Sequence, residues 1–208
     1  MVEETNKIWT PPPNLKISDW ADRYRRLSPE SSAESGQWKT DRAPYQKEIM
    51  DAFNDPETQR IVWMKSSQVG ATEVLLNVIG YYIDQDPAPM LCMQPTLAMA
   101  QAFSKDRLAT MIRDSEKIRD CVKDPRSRDS GNTVLSKKFA GGNLSMVGSN
   151  SAAGLASRAI RIMLADECDR YEASAGAEGD PISLATKRTT TFWNRKIYLC
   201  STPTIKGL

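Results

Sequence analysis

The stretch Met64–Glu73, MKSSQVGATE, decides how this chain is read. A phosphate-binding loop has the pattern G-x-x-x-x-G-K-[ST], in which backbone N–H groups cradle phosphates and the lysine reaches the terminal ones. Aligning Gly70 and Thr72 with the second glycine and the hydroxyl residue leaves Ala71 in the lysine slot and Lys65 in the first-glycine slot. Such a loop curls around the phosphates, so its first and seventh positions both approach the β and γ oxygens. A lysine stem is long and flexible enough to deliver its charge from the opening position. Lys65 therefore reads as a relocated phosphate lysine. Ser66, Ser67, Gln68, Val69, Gly70 and Ala71 would form the cradle, and Thr72 would offer a hydroxyl to Mg2+. The competing reading is a solvated strand-to-helix turn.

The flanks supply the context that the loop demands. RIVWM (60–64) is an apolar run suited to a buried strand, and ATEVLLNVIGYYI (71–83) has helical length and spacing. Upstream, YQKEIMDAFN (45–54) reads as a helix with Ile49, Met50 and Phe53 on one side. Downstream, the strand candidates are PMLCMQP (89–95), NLSMVG (143–148), AIRIMLADE (159–167) and KIYLCSTP (196–203). A helical stretch, 97–122, and a polar region, DPRSRDSGN (124–132), lie among them. Strands alternating with helices predict an α/β domain around a mainly parallel central sheet flanked by helices.

Residues 1–40 differ from the rest and read as an arm and linker ahead of a domain at 41–208. WTPPPN (9–14) is a stiff extended segment, DWADRYRRL (19–27) a short helix capped by Ser18 or Asp19, and PESSAESGQW (29–38) a polar loop. The arm is expected to pack on the domain or on a partner.

Composition narrows the chemistry. The 208 residues contain no histidine, which excludes His-dependent triads, His-bearing zinc sites and histidine general bases within the chain. Four dispersed cysteines, Cys92, Cys121, Cys168 and Cys200, form no C-x-x-C pair and argue against a disulfide framework. Proton chemistry then falls to carboxylates, Lys, Tyr or Cys, with carboxylates and Mg2+ the leading candidates. No signal-peptide pattern or membrane-length apolar run is present in the sequence, so a cytoplasmic protein is expected. A net charge of +2 confines any nucleic-acid surface to a local patch.

Asp166-Glu167 follows IRIML directly, which places both carboxylates at the C-terminal edge of a strand, where α/β sheets bind ligands. Phosphate-loop ATPases hold Mg2+ with an acid in that place. In many of them the next residue is a glutamate that orients or deprotonates the attacking water. Asp166 and Glu167 suit these roles in that order. Each motif alone also reads as ordinary strand punctuation; the combination, in order and at strand ends, carries the argument.

KSSQVGAT, LADECDRY and CSTP together resemble the ATPase domain of the lambda-type large terminase subunit of tailed bacteriophages, a family whose deviant loop has its lysine first. PTLAMAQAFSKDRL and SNSAAGLASRAIR resemble its connecting segments, so the similarity covers roughly 38–208. The resemblance implies a RecA-like phosphate-loop fold of the additional-strand, catalytic-glutamate class, using ATP and Mg2+. It implies that Tyr45 and Gln46, after Pro44, recognise adenine, and that Ser201 and Thr202 couple hydrolysis to movement. It also implies an arginine finger near Arg158, the first choice, or Arg161, which alternation turns outward. The implied partners are double-stranded DNA, a homo-oligomeric ring on a portal, and a small terminase subunit, with no membrane. The implied location is the host cytoplasm and, transiently, the procapsid. The family's nuclease domain has no counterpart before Leu208, so a fragment holding the ATPase half is expected.

DNA contacts are sought among Lys137, Lys138, Lys187, Arg188, Arg195 and Lys196, for which ordinary solvated surface is the alternative. Two rival functions remain open at this stage. One is a helicase-like DNA-dependent ATPase. The other is a non-catalytic DNA-binding or assembly module with a degenerate nucleotide site, favoured by Ala71 and opposed by Asp166-Glu167.

Overall fold

The computed structural model describes residues 14–30, 32, 34–122, 131–151, 154–155 and 158–204. Most of WTPPPN and of DPRSRDSGN, and parts of SNSAAGLASRAIR and PESSAESGQW, fall outside these residues. In chain order the described elements begin with helix α1 (Ile17–Tyr24), the two-residue strands β1 (Arg26–Leu27) and β2 (Gly36–Gln37), and α2 (Tyr45–Asp51). Strand β3 (Arg60–Met64), helix α3 (Ala71–Asp84) and strand β4 (Pro89–Gln94) follow. A long helical stretch then runs through α4 (Leu97–Ala102), a π-helical turn (Phe103–Leu108) and α5 (Ala109–Asp114), and breaks at Ser115 before α6 (Glu116–Cys121). The chain closes with β5 (Ser136–Phe139), β6 (Gly142–Gly148), β7 (Ile162–Asp166), α7 (Pro181–Lys187) and β8 (Lys196–Ser201).

Six strands form one sheet in the order β3-β8-β7-β4-β6-β5, parallel except for β5, which pairs antiparallel with β6. Strand β8 is inserted between the loop-bearing β3 and the acid-bearing β7. The register then fixes the site: Met64 lies opposite Ser201, and Asp166 opposite Cys200. Lys65, Thr202 and Glu167, the next residues, therefore leave the sheet at one edge.

Alternation along the strands serves both faces. Met90, Cys92, Ile162, Leu164, Tyr198 and Cys200 face a core built with α1, α2 and α3. Leu91, Met93, Met163, Ala165 and Ile197 face a smaller one with Ala185 of α7. Helix α3 is buried around most of its circumference because it lies between the sheet and α1; each of its fully buried Leu or Ile side chains contributes about 1.5–3 kcal/mol. Gly80 within it is required by packing, since a Cβ there would fall 2.4 Å from the Trp20 ring.

Two expectations about local structure are corrected, and one helix is added to those expected. Strand β3 is an edge strand with one open face, Val62 and Met64 being 67% and 78% exposed, because α7 does not reach that far across the sheet. Helix α1 starts at Ile17, and neither Ser18 nor Asp19 caps it; Asn54 Oδ1 and Asp51 Oδ1 instead accept the Ile17 and Ser18 N–H groups. Ile17, Trp20 and Ala21 are fully buried in the main core, so this part of the N-terminal segment is built into the domain. Helix α7 was missed, although Asp180-Pro181 carries its start signal: Asp180 accepts the Ser183 N–H and Pro181 occupies the first turn.

Candidate phosphate and catalytic site

The loop after β3 ends at Gly70, whose φ of 74° makes it a left-handed cap on α3. A Cβ at Gly70 would lie 2.5 Å from Gln46 Nε2, so both conformation and space require glycine. Helix α3 starts at Ala71, directly after the loop, with Glu73 in its first turn, and a helix start is an end suited to anions. A cavity of about 330 Å³ opens there, lined by Lys65, loop residues Ser67 to Thr72, Glu73, Arg107, Glu167, Arg170 and Thr202.

Lys65 and Glu167, 102 residues apart in sequence, meet across this cavity. Lys65 Nζ donates to Glu167 Oε1 at 2.5 Å and to Thr202 Oγ1 at 3.1 Å. The Lys65 N–H donates to the Ser201 carbonyl, stitching the loop to β8. Thr202 N donates to Glu167 Oε2 at 3.4 Å, and Ser201 Oγ accepts the Asp169 N–H. Lysine, catalytic-candidate carboxylate and coupling-candidate hydroxyl thus form one connected group. Among the described residues, two non-glycine residues have positive φ, Gln68 at 61° and Glu167 at 52°, and both line this cavity. Such left-handed residues cost about 1–3 kcal/mol each and cluster where function holds them.

Asp166 is 8% exposed and does not line the cavity. Its Oδ2 accepts from Gln94 Nε2 at 3.2 Å, a partner at the end of β4 that the sequence did not reveal. Burial pushes the Asp166 carboxyl up from the ordinary range, against the opposing Gln94 hydrogen bond. No cluster of three acidic or thiol side chains suited to a metal occurs among the described residues. A cation here would take few protein donors and complete its shell from phosphates and water, which is the habit of Mg2+. Asp166 and Thr72 are oxygen donors of the right kind for it.

Tyr45 and Gln46 border a second cavity of about 370 Å³, which shares Gln68, Val69, Gly70 and Glu73 with the first. Both side chains donate to the Val69 carbonyl, Gln46 at 2.8 Å and Tyr45 at 3.1 Å, and so brace the loop. Gln46 is 3% exposed, and its Oε1 is buried with no hydrogen-bond partner.

Other candidates lie elsewhere. Arg158 is exposed and borders a small pocket with Pro89, Asn143 and Ile160, toward the N-terminal end of the sheet. The arginines at the phosphate cavity are Arg107 and Arg170. Arg161 is not a solvated outward charge: it pairs with Asp86 at 2.6 Å and lies 5.5 Å over the Tyr82 ring. Two DNA candidates are also corrected. Lys137 is buried, donates to the Thr133 carbonyl and has its pKa lowered by burial; Lys196 is buried and donates to the carbonyls of Asp55 and Thr58. Lys138, Lys187 and Arg188 are exposed, and Arg195 is partly so.

A candidate phosphate loop after one strand, an acidic pair two strands away and a hydroxyl-bearing strand between them are the arrangement expected of a phosphate-loop ATPase with an inserted central strand. The chain belongs to the family described as phage terminase large subunit gpA, ATPase domain, which it matches over residues 32–208. It is 30% identical to the large terminase subunit of Enterobacteria phage P21 over 198 residues, covering 94% of this chain and 30% of that one. It is 27% identical to that of Escherichia phage lambda over 202 residues, 96% and 31% of the two chains. The chain thus spans about a third of the length of these relatives. In fold it is similar to the HK97 bacteriophage large terminase, with a TM-score of 0.67 at 12% identity over 90% of this chain and 37% of that one. It is also similar to the large terminase ATPase domain of Thermus phage P74-26, with a TM-score of 0.54 at 14% identity over 76% and 64%. No helix among the described residues is long and apolar enough to cross a membrane.

Proposed function

We propose that this domain hydrolyses Mg·ATP as the motor of a terminase that moves double-stranded DNA into a procapsid. The observation that carries the reading is the convergence of Lys65, Glu167 and Thr202 on one cavity, beneath a helix N-terminus and a left-handed glycine. Lys65 and the loop amides from Ser66 to Ala71 hold the β and γ phosphates. Thr72 and Asp166 hold Mg2+, which neutralises phosphate charge and fixes the phosphate geometry when bound. Glu167 orients and deprotonates the attacking water, and Ser201 and Thr202 sense the γ position on the strand between loop and acid.

The Lys65–Glu167 pair gives this mechanism a resting state. While Lys65 engages Glu167, the carboxylate that must receive water is occupied by a cation. Arriving phosphates compete for Lys65, so substrate binding itself frees the base. Adenine enters the cavity beside Tyr45, where the unpaired Gln46 Oε1 accepts a hydrogen bond from the base amine. Arg158, remote from this cavity, reaches a phosphate only from a neighbouring subunit, so turnover depends on a homo-oligomeric ring of the kind a portal would organise. Lys138, Lys187, Arg188 and Arg195 are the exposed cations left for DNA phosphates. Contacts with a small terminase subunit, and residence in the host cytoplasm and on the procapsid, belong to the same proposal.

Titration calorimetry tests the core of it. Wild type binds Mg·ATP saturably, and Lys65→Ala weakens binding at least tenfold, about 1.4 kcal/mol. Equal binding by both proteins overturns the assignment of Lys65. A folded wild type that ignores nucleotide favours the degenerate binding module.

A further inference from the structure

The conventional loop lysine is absent at Ala71, yet the cavity lining includes a further cation, Arg107, that pairs with a carboxylate other than Glu167. Glu73, in the first turn of α3 and adjacent to Thr72, accepts from two arginines at once. Arg25 Nη2 reaches its Oε2 at 2.8 Å, and Arg107 Nη2 reaches its Oε1 at 2.5 Å. The two arginines are unequal: the Arg25 side chain is 3% exposed, whereas that of Arg107 is 31% exposed and borders the phosphate cavity. One carboxylate shared by two guanidinium groups leaves the triad net positive beside the helix N-terminus.

Arg107 is also placed by unusual backbone. It sits in the π-helical turn Phe103–Leu108, which interrupts the helical run from Leu97 to Asp114. Single π turns within α-helices are rare and concentrate at functional sites. That run starts just past β4, whose last residue, Gln94, holds Asp166.

We propose that Arg107 is a γ-phosphate ligand acting within its own subunit, exchanging Glu73 for the terminal phosphate when a triphosphate occupies the cavity. Glu73 keeps a charged partner through the exchange, because Arg25, the buried one, continues to neutralise it after Arg107 moves. A planar guanidinium is suited to this, since it matches carboxylate and phosphate oxygens with the same fork. The movement ties triphosphate occupancy to the helical stretch that carries the π turn, and through β4 to Gln94 and Asp166. This inference rests on the phosphate-site reading given above and adds to it a residue that discriminates triphosphate from diphosphate.

The test compares Mg·ATPγS and Mg·ADP binding by calorimetry in wild type, Arg107→Gln, Arg107→Lys and Arg170→Gln, with thermal melts of each protein without nucleotide. Arg107→Gln is expected to lose at least tenfold in ATPγS affinity while ADP affinity stays within about twofold. Arg107→Lys, which keeps charge but not the fork, should lose less. An equal loss for both nucleotides assigns Arg107 a structural role and overturns the proposal, as does an unchanged ATPγS-to-ADP ratio. Loss of the ratio in Arg170→Gln but not in Arg107→Gln overturns it in favour of the other cavity arginine. Should Arg107→Gln fail to fold, the lysine variant decides, and an unaltered ratio there overturns the proposal. A folded wild type that binds neither nucleotide overturns the phosphate-site reading and this inference together, whereas wild-type binding with a ratio indifferent to Arg107 overturns this inference alone.

Discussion

The two ends of the parallel sheet carry the same kinds of side chain and treat them oppositely. At the N-terminal end, Arg161 and Lys196 stand at the starts of β7 and β8. Arg161 is held by Asp86 and the Tyr82 ring, and Lys196 by the carbonyls of Asp55 and Thr58. At the C-terminal end, Lys65 holds Glu167 and Arg107 holds Glu73. Lys196 ends on the backbone carbonyls of a turn, Asp55's also accepting the Thr58 N–H, and its interaction closes the structure. Lys65 ends on a carboxylate that the proposed mechanism uses as its base, and in that proposal a phosphate displaces the interaction. The lesson is that the charge of a residue is less informative than whether its partner has a competing use.

The largest effect that would break this contrast is at Glu167. Replacing it with Gln removes the base but preserves its shape, so steady-state phosphate release should fall by about 10²–10⁴-fold, the usual contribution of a positioned general base. Mg·ATP affinity should hold or rise, because Lys65 no longer has a carboxylate to leave. Turnover that survives the substitution would reduce the Lys65–Glu167 pair to the same structural status as the pairs at the other end.

A matched pair of lysine substitutions sharpens the comparison at smaller cost. Lys65→Ala should weaken Mg·ATP about tenfold or more, ~1.4 kcal/mol, and move the denaturant midpoint little. Lys196→Ala should do the reverse: unfolding free energy falls by about 1 kcal/mol as the Asp55 and Thr58 carbonyls lose the lysine, with nucleotide affinity within about twofold of wild type. Arg161→Met should behave like Lys196→Ala, losing on the order of 1 kcal/mol with its ion pair and cation–π contact. Calorimetry and urea denaturation on the three variants decide the matter; a nucleotide defect in either N-terminal variant would merge the two ends into one functional network.

What could be read from the sequence follows the same division. The strand, loop and helix at 60–84, the acidic pair after β7 and the hydroxyls after β8 were legible because apolar periodicity and strand-end chemistry are local properties. Their meeting at one edge depended on β8 inserting between β3 and β7, a pairing that local patterns cannot specify. Lys137 and Lys196 read as surface cations for a related reason: a lysine in a basic stretch looks the same whether its amine meets water or a backbone carbonyl. Arg107 and Glu73 went unnoticed because each lies within an ordinary helical pattern, and only the fold brings Arg25, 48 residues before Glu73, to the same carboxylate. The open face of β3 was hidden because IVWM (61–64) is apolar without alternation, and nothing local says that α7 stops short of it.

The smallest effect concerns the price the fold accepts for Asp166. Burial raises this carboxyl above its ordinary value of 3.8, outweighing the hydrogen bond from Gln94 that favours the charged form. A raised pKa in the folded state means that the native protein binds this proton more tightly than the unfolded chain does. The group therefore favours the fold most at low pH, and that advantage is lost as pH rises from 3.8 through the raised native value. At neutral pH the carboxylate is charged and the fold bears its desolvation. Asp166→Asn keeps the shape, and its amide oxygen can still accept from Gln94, so the variant should be more stable than wild type at pH 7. The gain expected is ~0.5 kcal/mol, the lower range for replacing a functionally strained group. Asp51, Asp114 and Asp180 have lowered pKa values and lose stability as pH falls, so the informative quantity is the variant minus wild type across pH, not either curve alone. That difference should shrink on acidification and vanish once Asp166 is protonated in both states. Urea titrations between pH 4 and about 7 measure it, the upper limit being set by the neutral end of the usual stability maximum. A variant less stable than wild type at pH 7 would show that the Asp166 carboxylate is held in place by the fold for structural reasons, like the charges at the opposite end of the sheet. A more stable variant that no longer binds Mg·ATP would show a buried charge kept against the interest of the fold, with metal and phosphate as the partners it is kept for.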